Sequence, residues 1–206
     1  YRMKLTLDNT LVSGSTDLTN FPALVAFTNA NLATTGNGGD VTDANGYDII
    51  FTTTTATPTK LDHEIEKYTA STGEIAMWVE IPTLGATVDT DIYVYYGNSS
   101  ISSSQENITG VWDSNFKGVW HLGQSGDHVG SDYLDSTSGA YHGQGGGGTS
   151  GSSPAQATGK VGSGQNFDGT NDYISLGTAL DSALPLTIEA WVNPDDRGDY
   201  HTIFAK

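Results

Sequence analysis

The chain is 206 residues long, carries a formal net charge of −16 and contains no cysteine. A surface this acidic repels phosphate backbones and anionic lipid, which argues against nucleic-acid binding and membrane-surface binding. Disulfides and thiolate metal sites are excluded, and no apolar run approaches the roughly 18–20 residues of a membrane span. The 26 glycines, with abundant serine and threonine, favour many short strands joined by turns over helices.

Residues 1–98 are predicted to form one all-β unit, because apolar residues recur there with a period of two between turn-forming segments. In the first strand Met3, Leu5 and Leu7 share one face. Two later strands flank a turn at residues 71–73 and are expected to be neighbours. The predicted strands are residues 1–7, 21–28, 47–52, 61–68, 74–81 and 91–96. Strands at this spacing are typical of a β-sandwich.

Residues 99–115 are predicted to link this unit to a second one over residues 116–206, because residues 99–107 are rich in serine and poor in apolar side chains. Residues 110–115 could pack on either unit. The second unit contains two strand-like runs, 172–176 and 186–192, on either side of a polar loop. In the later run Ile188, Ala190 and Val192 share one face, so it alternates with a period of two.

Both units resemble known families. The motifs YRMKLTLDNT, LTNFPALVAF, GYDIIFT, LDHEIEKY, MWVEIP and DIYVYYGN are together similar to a domain of unknown function in large secreted bacterial and archaeal surface proteins. That domain often directly precedes a laminin-G-like domain. The motifs GVWHL, DSTS, FDGTNDYISL and LTIEAWVNP, from residue 118 onward, resemble laminin-G-like, concanavalin A-like jelly rolls of secreted proteins. The expected fold is therefore all-β: an N-terminal β-sandwich followed by the first half of a concanavalin A-like jelly roll.

Jelly rolls of this type are normally much longer than the part of the chain that follows the linker. The resemblance therefore implies that roughly half of the jelly roll is missing from this sequence. A half-sandwich would expose Ile188, Val192, Ile203 and Phe204 to water, together with open strand edges. Either the parent protein continues, or a neighbouring chain supplies the missing strands.

A calcium site is one interpretation of the acidic turn around residue 170. Asp168, Asn171 and Asp172 place two carboxylates and an amide within five residues, and Asp135 is a further candidate ligand. Calcium binds six to eight oxygens of these types, and concanavalin-type domains often hold a structural calcium ion in such loops. The alternative is that these side chains bond their own backbone in turns, and the sequence leaves both interpretations open.

Paired carboxylates at Glu64 and Glu66 raise the question of glycoside hydrolysis, which uses two acids about 5–9.5 Å apart. On a regular strand these residues and Asp62 share one face. Since Lys67 follows and the chain is acidic throughout, we interpret this face as an ordinary solvent-exposed one. No enzymatic activity is predicted.

Several other side chains are candidates for ligand binding, for modification or for packing in the core. Tyr133 and Tyr141 lie in predicted loops and are the candidates for stacking on sugar rings. Trp78, Trp120 and Trp191 are expected in the core. Asn98 and Asn107 begin N-glycosylation sequons. The histidines show no paired metal-binding spacing, and His121, in a strand-like run, is expected to be a packed polar residue. The five histidines are His63, His121, His128, His142 and His201.

The sequence therefore predicts a non-catalytic segment of an extracellular or cell-surface protein that serves adhesion or carbohydrate binding, with calcium as a possible structural cofactor. Its expected partners are a glycan or another surface protein. One alternative is a subunit of an extracellular filament or surface layer, completed by strands from another copy of the chain. A second alternative is an accessory region of a polysaccharide-degrading enzyme.

Overall fold

A computed structural model describes residues 1–126, 128–178, 180, 185–195 and 202–205, and most of its regular structure is antiparallel strand. The strands are β1 (Arg2–Leu7), β2 (Leu18–Thr28), β3 (Ile50–Thr52), β4 (His63–Thr69), β5 (Glu74–Leu84), β6 (Thr90–Tyr95), β7 (Gln144–Gly145), β8 (Ala155–Thr158), β9 (Ser163–Asn166) and β10 (Ile174–Ser175). One short helix, α1, spans Ile108–Val111, and 3-10 turns lie at Asn9–Leu11, Ala30–Leu32, Thr35–Asn37 and Gly146–Gly148. The all-β prediction is confirmed.

Two three-stranded sheets, ordered β1-β6-β3 and β2-β5-β4, build the N-terminal sandwich. Alternate residues of each strand point into a shared core, where Phe51 and Val94 of one sheet meet Val25, Met77 and Val79 of the other. All six strands predicted for this unit are present, with ends that differ by a few residues. Burial of these side chains is the main force that holds the two sheets together.

The hairpin of β4 and β5 contains an irregularity in its strand pairing. Its turn needs Gly73, which has a φ of 68° and whose absent Cβ would meet the backbone of Asn29 and Leu32. The pairing register then shifts between Ile65 and Lys67, so Glu66 is the extra residue of a β-bulge. A bulge bends its strand and re-aims the side chain at the bulge.

The segment that follows β6 covers the outer face of this hairpin. The backbone N–H of Ile65 donates to Glu106 Oε1 at 2.7 Å, and the N–H of Asn107 donates to the carbonyl of His63 at 3.1 Å. Trp112 is buried, with its ring centroid 5.1 Å from that of Trp78 on β5. The later part of the predicted linker, from Glu106 to Trp112, is thus packed on the sheet.

The C-terminal region contains less regular structure than the sequence predicts. Residues 186–192 form no strand, and only Ile174–Ser175 of the run 172–176 is a strand, β10. Within the described residues no strand lies beside residues 186–192, so their backbone lacks the ladder that a strand requires. Ile188, Val192, Ile203 and Phe204 are exposed, in agreement with the exposure expected of these four side chains. None of the described helices has the length and apolarity needed to cross a bilayer.

Candidate functional site

Glu64, Glu66 and His121 form a cluster on the outer face of β4, which we call the acid–imidazole cluster. His121 Nε2 lies 3.1 Å from Glu64 Oε2, and His121 Nδ1 lies 3.3 Å from Glu66 Oε2. The first contact is at ion-pair distance, although its angle is not that of a directed hydrogen bond. A single imidazole therefore bridges two carboxylates. The bulge at Glu66 makes this possible because it turns the second carboxylate toward the ring that the first one faces.

Neutral donors from three parts of the chain complete the cluster. The indole N–H of Trp112 and the hydroxyl of Ser136 donate to Glu64, at 3.0 and 2.6 Å. The indole N–H of Trp78 donates to Glu66 at 2.6 Å. Buried carboxylates require such donors, because an ionised group taken out of water without partners is strongly destabilising.

The electrostatics of the cluster favour the ionised form of both His121 and Glu64. Burial lowers the pKa of His121, but the contacts with Glu64 and Glu66 outweigh it and raise that pKa from 6.5 to about 9. Burial raises the pKa of Glu64, but His121, Ser136 and Trp112 outweigh it, so the pKa ends below its usual value of 4.5. At neutral pH the cluster therefore contains an imidazolium between carboxylates.

Aromatic rings enclose the imidazole. Trp78 stacks on His121 with ring centroids 5.9 Å apart, and the centroid of Trp112 lies 6.0 Å from that of His121. Phe116 packs edge-on against Trp112 at 5.2 Å. These rings exclude water from one side of the cluster and leave the other side to open onto a cleft.

The cleft, which we call the β4 cleft, has a volume of about 310 Å³. Its lining residues are Glu64, Ile65, Glu66, Lys67, His121, Gly123, Gln124, Gly162 and Ser163. One wall is β4, and the second is the loop of residues 121–124. The turn of the β8–β9 hairpin closes the third side, where a Cβ on Gly162 would lie 3.7 Å from Glu66 Cγ.

The β8–β9 hairpin also fixes the loop that forms the second wall. The side-chain amide of Gln165 donates to the carbonyls of Leu122 and Gln124, each at 2.7 Å, and that of Gln156 donates to the carbonyl of Gly123. The loop is thus held on one side by neutral hydrogen bonds and on the other by the charged contacts of His121.

The middle of the chain is similar to one known family. Residues 45–119 match a domain of unknown function, DUF2341. The DUF2341 match covers less than half of the chain, and it contains strands β3 to β6, the bulge and Trp112. It extends past residue 98, where the first unit is predicted to end. The comparisons with curated proteins and with solved structures find no match.

The prediction that Glu64 and Glu66 lie on a solvent-exposed face is wrong. Their side chains are 8–9% exposed, because the segment carrying Trp112 and His121 covers them. The expectation that His121 is a packed polar residue agrees with its 14% side-chain exposure. The sequence analysis did not anticipate this cover, although the aromatic side chains of residues 112–121 could have indicated it, since an exposed linker does not need them.

Asp135, a predicted calcium ligand, is buried and bonds its own loop. Its carboxylate accepts from the backbone N–H of Val119, Thr137 and Tyr141 and from the hydroxyl of Thr137, at 2.9–3.0 Å. Its oxygens are already used by donors of the protein. The arrangement holds the loop after residue 118 against the loop of residues 135–141.

The other three predicted ligands lie in a turn of their own. Asp168 accepts from the N–H of Thr170 and of Asn171, and Asp172 accepts from the N–H of Asp168. The amide of Asn171 donates to Ser152 Oγ at 2.8 Å. No group of three or more acidic, histidine or cysteine side chains suited to a metal ion occurs in the part of the chain that the structure describes.

The structure separates the two tyrosines proposed for sugar stacking. Tyr133 is fully buried, with its hydroxyl 3.2 Å from Gln165 Oε1, so its ring is not accessible to a ligand. Tyr141 is 41% exposed and remains available. Among the tryptophans expected in the core, Trp191 is 80% exposed. Trp78 lies on the outer face of β5, beneath Trp112 and His121, and Trp120 is partly exposed.

The remaining predicted positions concern modification and the histidines. Asn98 and Asn107, which begin the two sequons, are both exposed. His63 lies in the sandwich core, and His142 Nδ1 accepts from the N–H of Asp135 at 3.0 Å. His201 lies outside the described residues.

Proposed function

We propose that this chain is a non-catalytic segment of an extracellular surface protein that recognises carbohydrate, and that the β4 cleft is the recognition site. The observation that carries the proposal is the convergence of hydrogen-bonding side chains from β4, the loop of residues 121–124 and the β8–β9 hairpin on a single cleft. The resemblance of both units to domains of secreted surface proteins supports the extracellular location.

The lining of the β4 cleft favours a hydroxyl-rich ligand. Carboxylate oxygens accept hydrogen bonds from hydroxyl groups, and the ammonium of Lys67, the amide of Gln124 and the hydroxyl of Ser163 supply further donors. Most small-molecule pockets are lined mainly by apolar side chains, whereas Ile65 is the one large apolar residue among those lining this cleft. A ligand that enters the cleft displaces water from these polar side chains and must form hydrogen bonds with them in its place. The hydroxyl groups of a sugar can do so.

The negative charge of the chain limits the class of sugar that the β4 cleft can bind. The chain as a whole carries −16, so uronic acids and sulfated glycans are repelled. Within the cleft His121 offsets part of the charge of Glu64 and Glu66, and Lys67 is paired with Glu74 at 2.7 Å. A neutral glycan is the ligand class that this charge distribution suits.

The chemistry of Glu64 supports binding without hydrolysis. A glycosidase needs one carboxylic acid whose pKa is raised, so that it can protonate the leaving group. The pKa of Glu64 is instead lowered by its donors. His121 also occupies the space between the two carboxylates, where a glycosidic bond would have to lie.

A glycan array with the intact chain tests the proposal, followed by titration of the best neutral ligand. Gln124→Ala, in the cleft, should weaken binding by about three- to tenfold, because it removes one hydrogen-bonding group. Gln105→Ala is the matched control, since Gln105 bonds the backbone of Ser103 and Ser104 away from the cleft. Equal affinity in the two variants, or no glycan bound at all, would contradict the proposal.

Structural calcium is a separate part of the proposal, and thermal unfolding with and without a chelator decides it. A lower melting temperature in the chelator, abolished by Asp168→Asn, supports a calcium ion at the turn that contains Asp168 and Asp172. An unchanged melting temperature supports the alternative that these carboxylates accept hydrogen bonds from the backbone N–H groups of their own turn and bind no metal ion.

The exposed C-terminal side chains favour a second candidate function, a subunit of an extracellular assembly. Ile188, Trp191 and Val192 are each more than half exposed, and residues 186–192 have the period-two pattern of a strand without being one. Strand addition to a neighbouring copy would bury them. Sedimentation of the purified chain tests this: a stable monomer at all concentrations contradicts it, and concentration-dependent association that Trp191→Glu abolishes supports it.

A further inference from the structure

The loop of residues 121–124 is attached to the rest of the molecule by two different kinds of contact. Toward the β8–β9 hairpin it is held by the side-chain amides of Gln156 and Gln165, which are neutral at every accessible pH. Toward β4 it is held by the ring of His121 between Glu64 and Glu66. Only the second attachment depends on a proton.

The contacts of that attachment favour a doubly protonated ring. Both nitrogens of His121 lie within ion-pair distance of a carboxylate oxygen, at 3.1 and 3.3 Å, although Nε2 does not direct a hydrogen bond at Glu64. A neutral imidazole has a single N–H, so one nitrogen would turn a lone pair toward a carboxylate. It would also leave two carboxylates, each 8–9% exposed, without a positive charge between them, and an unpaired buried charge is strongly destabilising.

Among the residues that the structure describes, no other charged group takes over this role. Lys67 lines the same cleft, but its ammonium is paired with Glu74 at 2.7 Å on the more exposed side of the hairpin. From the remaining packed elements, the groups that face the cluster are the neutral side chains of Trp78, Trp112 and Ser136. Gln124 and Ser163, across the cleft, are also neutral.

We propose that His121 is a proton-dependent latch that closes the loop of residues 121–124 over β4 and thereby forms the β4 cleft. While the imidazole is protonated, it draws the loop and the attached β8–β9 hairpin onto Glu64 and Glu66. When it loses the proton to solvent, the charged contacts fail, and loop and hairpin separate from β4 because the neutral hydrogen bonds keep these two together. The ligand consequence, loss of glycan as the cleft opens, rests on the proposed function.

The direction of the pH effect follows from the same contacts. In the unfolded chain His121 has an ordinary pKa near 6.5, and in the folded chain its pKa is about 9. A raised pKa means that the stabilisation is complete below pH 6.5 and is lost as the pH rises through about 9. The latch is therefore closed in mildly acidic and neutral solution and opens in alkaline solution.

Amide hydrogen exchange of the intact chain, corrected for the intrinsic effect of pH, tests the latch. Between about pH 6.5 and pH 9.5, exchange of residues 121–124 should accelerate by about tenfold or more relative to the core strand β5. In His121→Gln the loop should exchange rapidly at both pH values. In Ser136→Ala, which removes only the neutral bond to Glu64, the loop should loosen equally at both, and the pH dependence should remain.

Alkaline loosening that persists in His121→Gln would overturn the latch, because another group would then be responsible. If that variant does not fold, an NMR titration of the His121 ring in the wild-type chain replaces it, and a midpoint near 6.5 in place of about 9 overturns the proposal. The exchange readout needs no ligand, so it is independent of the proposed function. Glycan affinity that is constant across this range contradicts the latch alone, whereas a working latch in a chain that binds no glycan contradicts the proposed function alone.

Discussion

At the scale of single residues, His63 is unusual because it is a titratable side chain in the apolar core of the sandwich. It is fully buried, its ring centroid lies 5.6 Å from that of Phe51, and neither ring nitrogen makes a well-aligned hydrogen bond to the described part of the chain. Burial is the main reason that its pKa is lowered from 6.5. The folded state therefore resists a proton that the unfolded chain accepts, and stability is lost as the pH falls below about 6.5.

The first prediction follows from this imidazole. Replacement by an apolar side chain of similar size, His63→Leu, should raise the melting temperature at about pH 5, because the unpaired polar group costs about 1–3 kcal/mol and resists protonation. The gain should shrink at about pH 8, where the unfolded chain no longer binds the proton. Circular dichroism melts at the two pH values measure the difference. A gain that is the same at both would show that packing alone is responsible.

Asp48 is a second buried polar group, but one with a full set of partners. Its carboxylate accepts from the N–H and hydroxyl of Thr42 and from the N–H of Asp43 and Gly97, at 2.8–3.1 Å. Burial raises its pKa, but the bonds from Thr42 and Asp43 outweigh burial and lower it. The stabilisation is thus present above about pH 4 and is lost as the pH falls through the lowered pKa.

The second prediction concerns this carboxylate. Asp48→Asn replaces an acceptor oxygen with a donor and should cost about 3 kcal/mol in the free energy of unfolding at neutral pH. Glu189→Gln makes the same change of charge at an exposed position and should cost less than about 0.5 kcal/mol. Urea unfolding of both variants provides the comparison, and similar midpoints would refute the structural role given to Asp48.

At the scale of elements, the segment from Glu106 to Ser136 behaves as a cover over β4 and β5. Its largest contribution is Trp112, which fills the space above Trp78 and donates to Glu64. The third prediction is that Trp112→Ala lowers the free energy of unfolding by about 3–5 kcal/mol, since it leaves a cavity and removes a donor from a buried carboxylate.

Trp191→Ala is the control for that prediction, because Trp191 is 80% exposed and its loss should cost less than about 0.5 kcal/mol. Chemical unfolding monitored by far-UV circular dichroism measures both without depending on tryptophan fluorescence. Equal effects would mean that the cover does not contribute to the stability of the sandwich.

The elements also show what the sequence could and could not predict. The strands of residues 1–98 were predictable because period-two alternation reports directly which side chains face a core. The burial of Glu64 was not, since it depends on Trp112 and Ser136, which lie 48 and 72 positions later in the chain, and a local pattern contains no such information. The bulge at Glu66 changes which side chains converge, and alternation cannot reveal it.

The run 186–192 illustrates the opposite error. Its alternation is that of a strand, but alternation states only that a segment suits a sheet, and a strand exists only where a second one supplies its hydrogen bonds. The calcium prediction had a similar limit. The residues at 168–172 suit both a metal ion and a turn, and composition does not distinguish them.

At the scale of the whole molecule, the dominant property is the excess of 24 acidic over 8 basic side chains. Repulsion among surface charges destabilises the compact state and is screened by salt. The fourth prediction is that the melting temperature rises when sodium chloride is increased from about 0.05 to about 0.5 M. A scan repeated in sodium and in potassium chloride separates screening from specific ion binding, and a falling melting temperature would show that attractive surface pairs dominate.

The contacts that Glu106 and Asn107 make with β4 have a consequence for how copies of this chain can meet. β4 is an outermost strand of its sheet, and such strands tend to recruit further strands from solution. Here the amide of Ile65 and the carbonyl of His63 are already occupied by the chain's own residues. The chain's own hydrogen bonds therefore hinder the addition of a further strand at the β4 edge. Polymerisation by strand exchange would have to begin elsewhere on the protein.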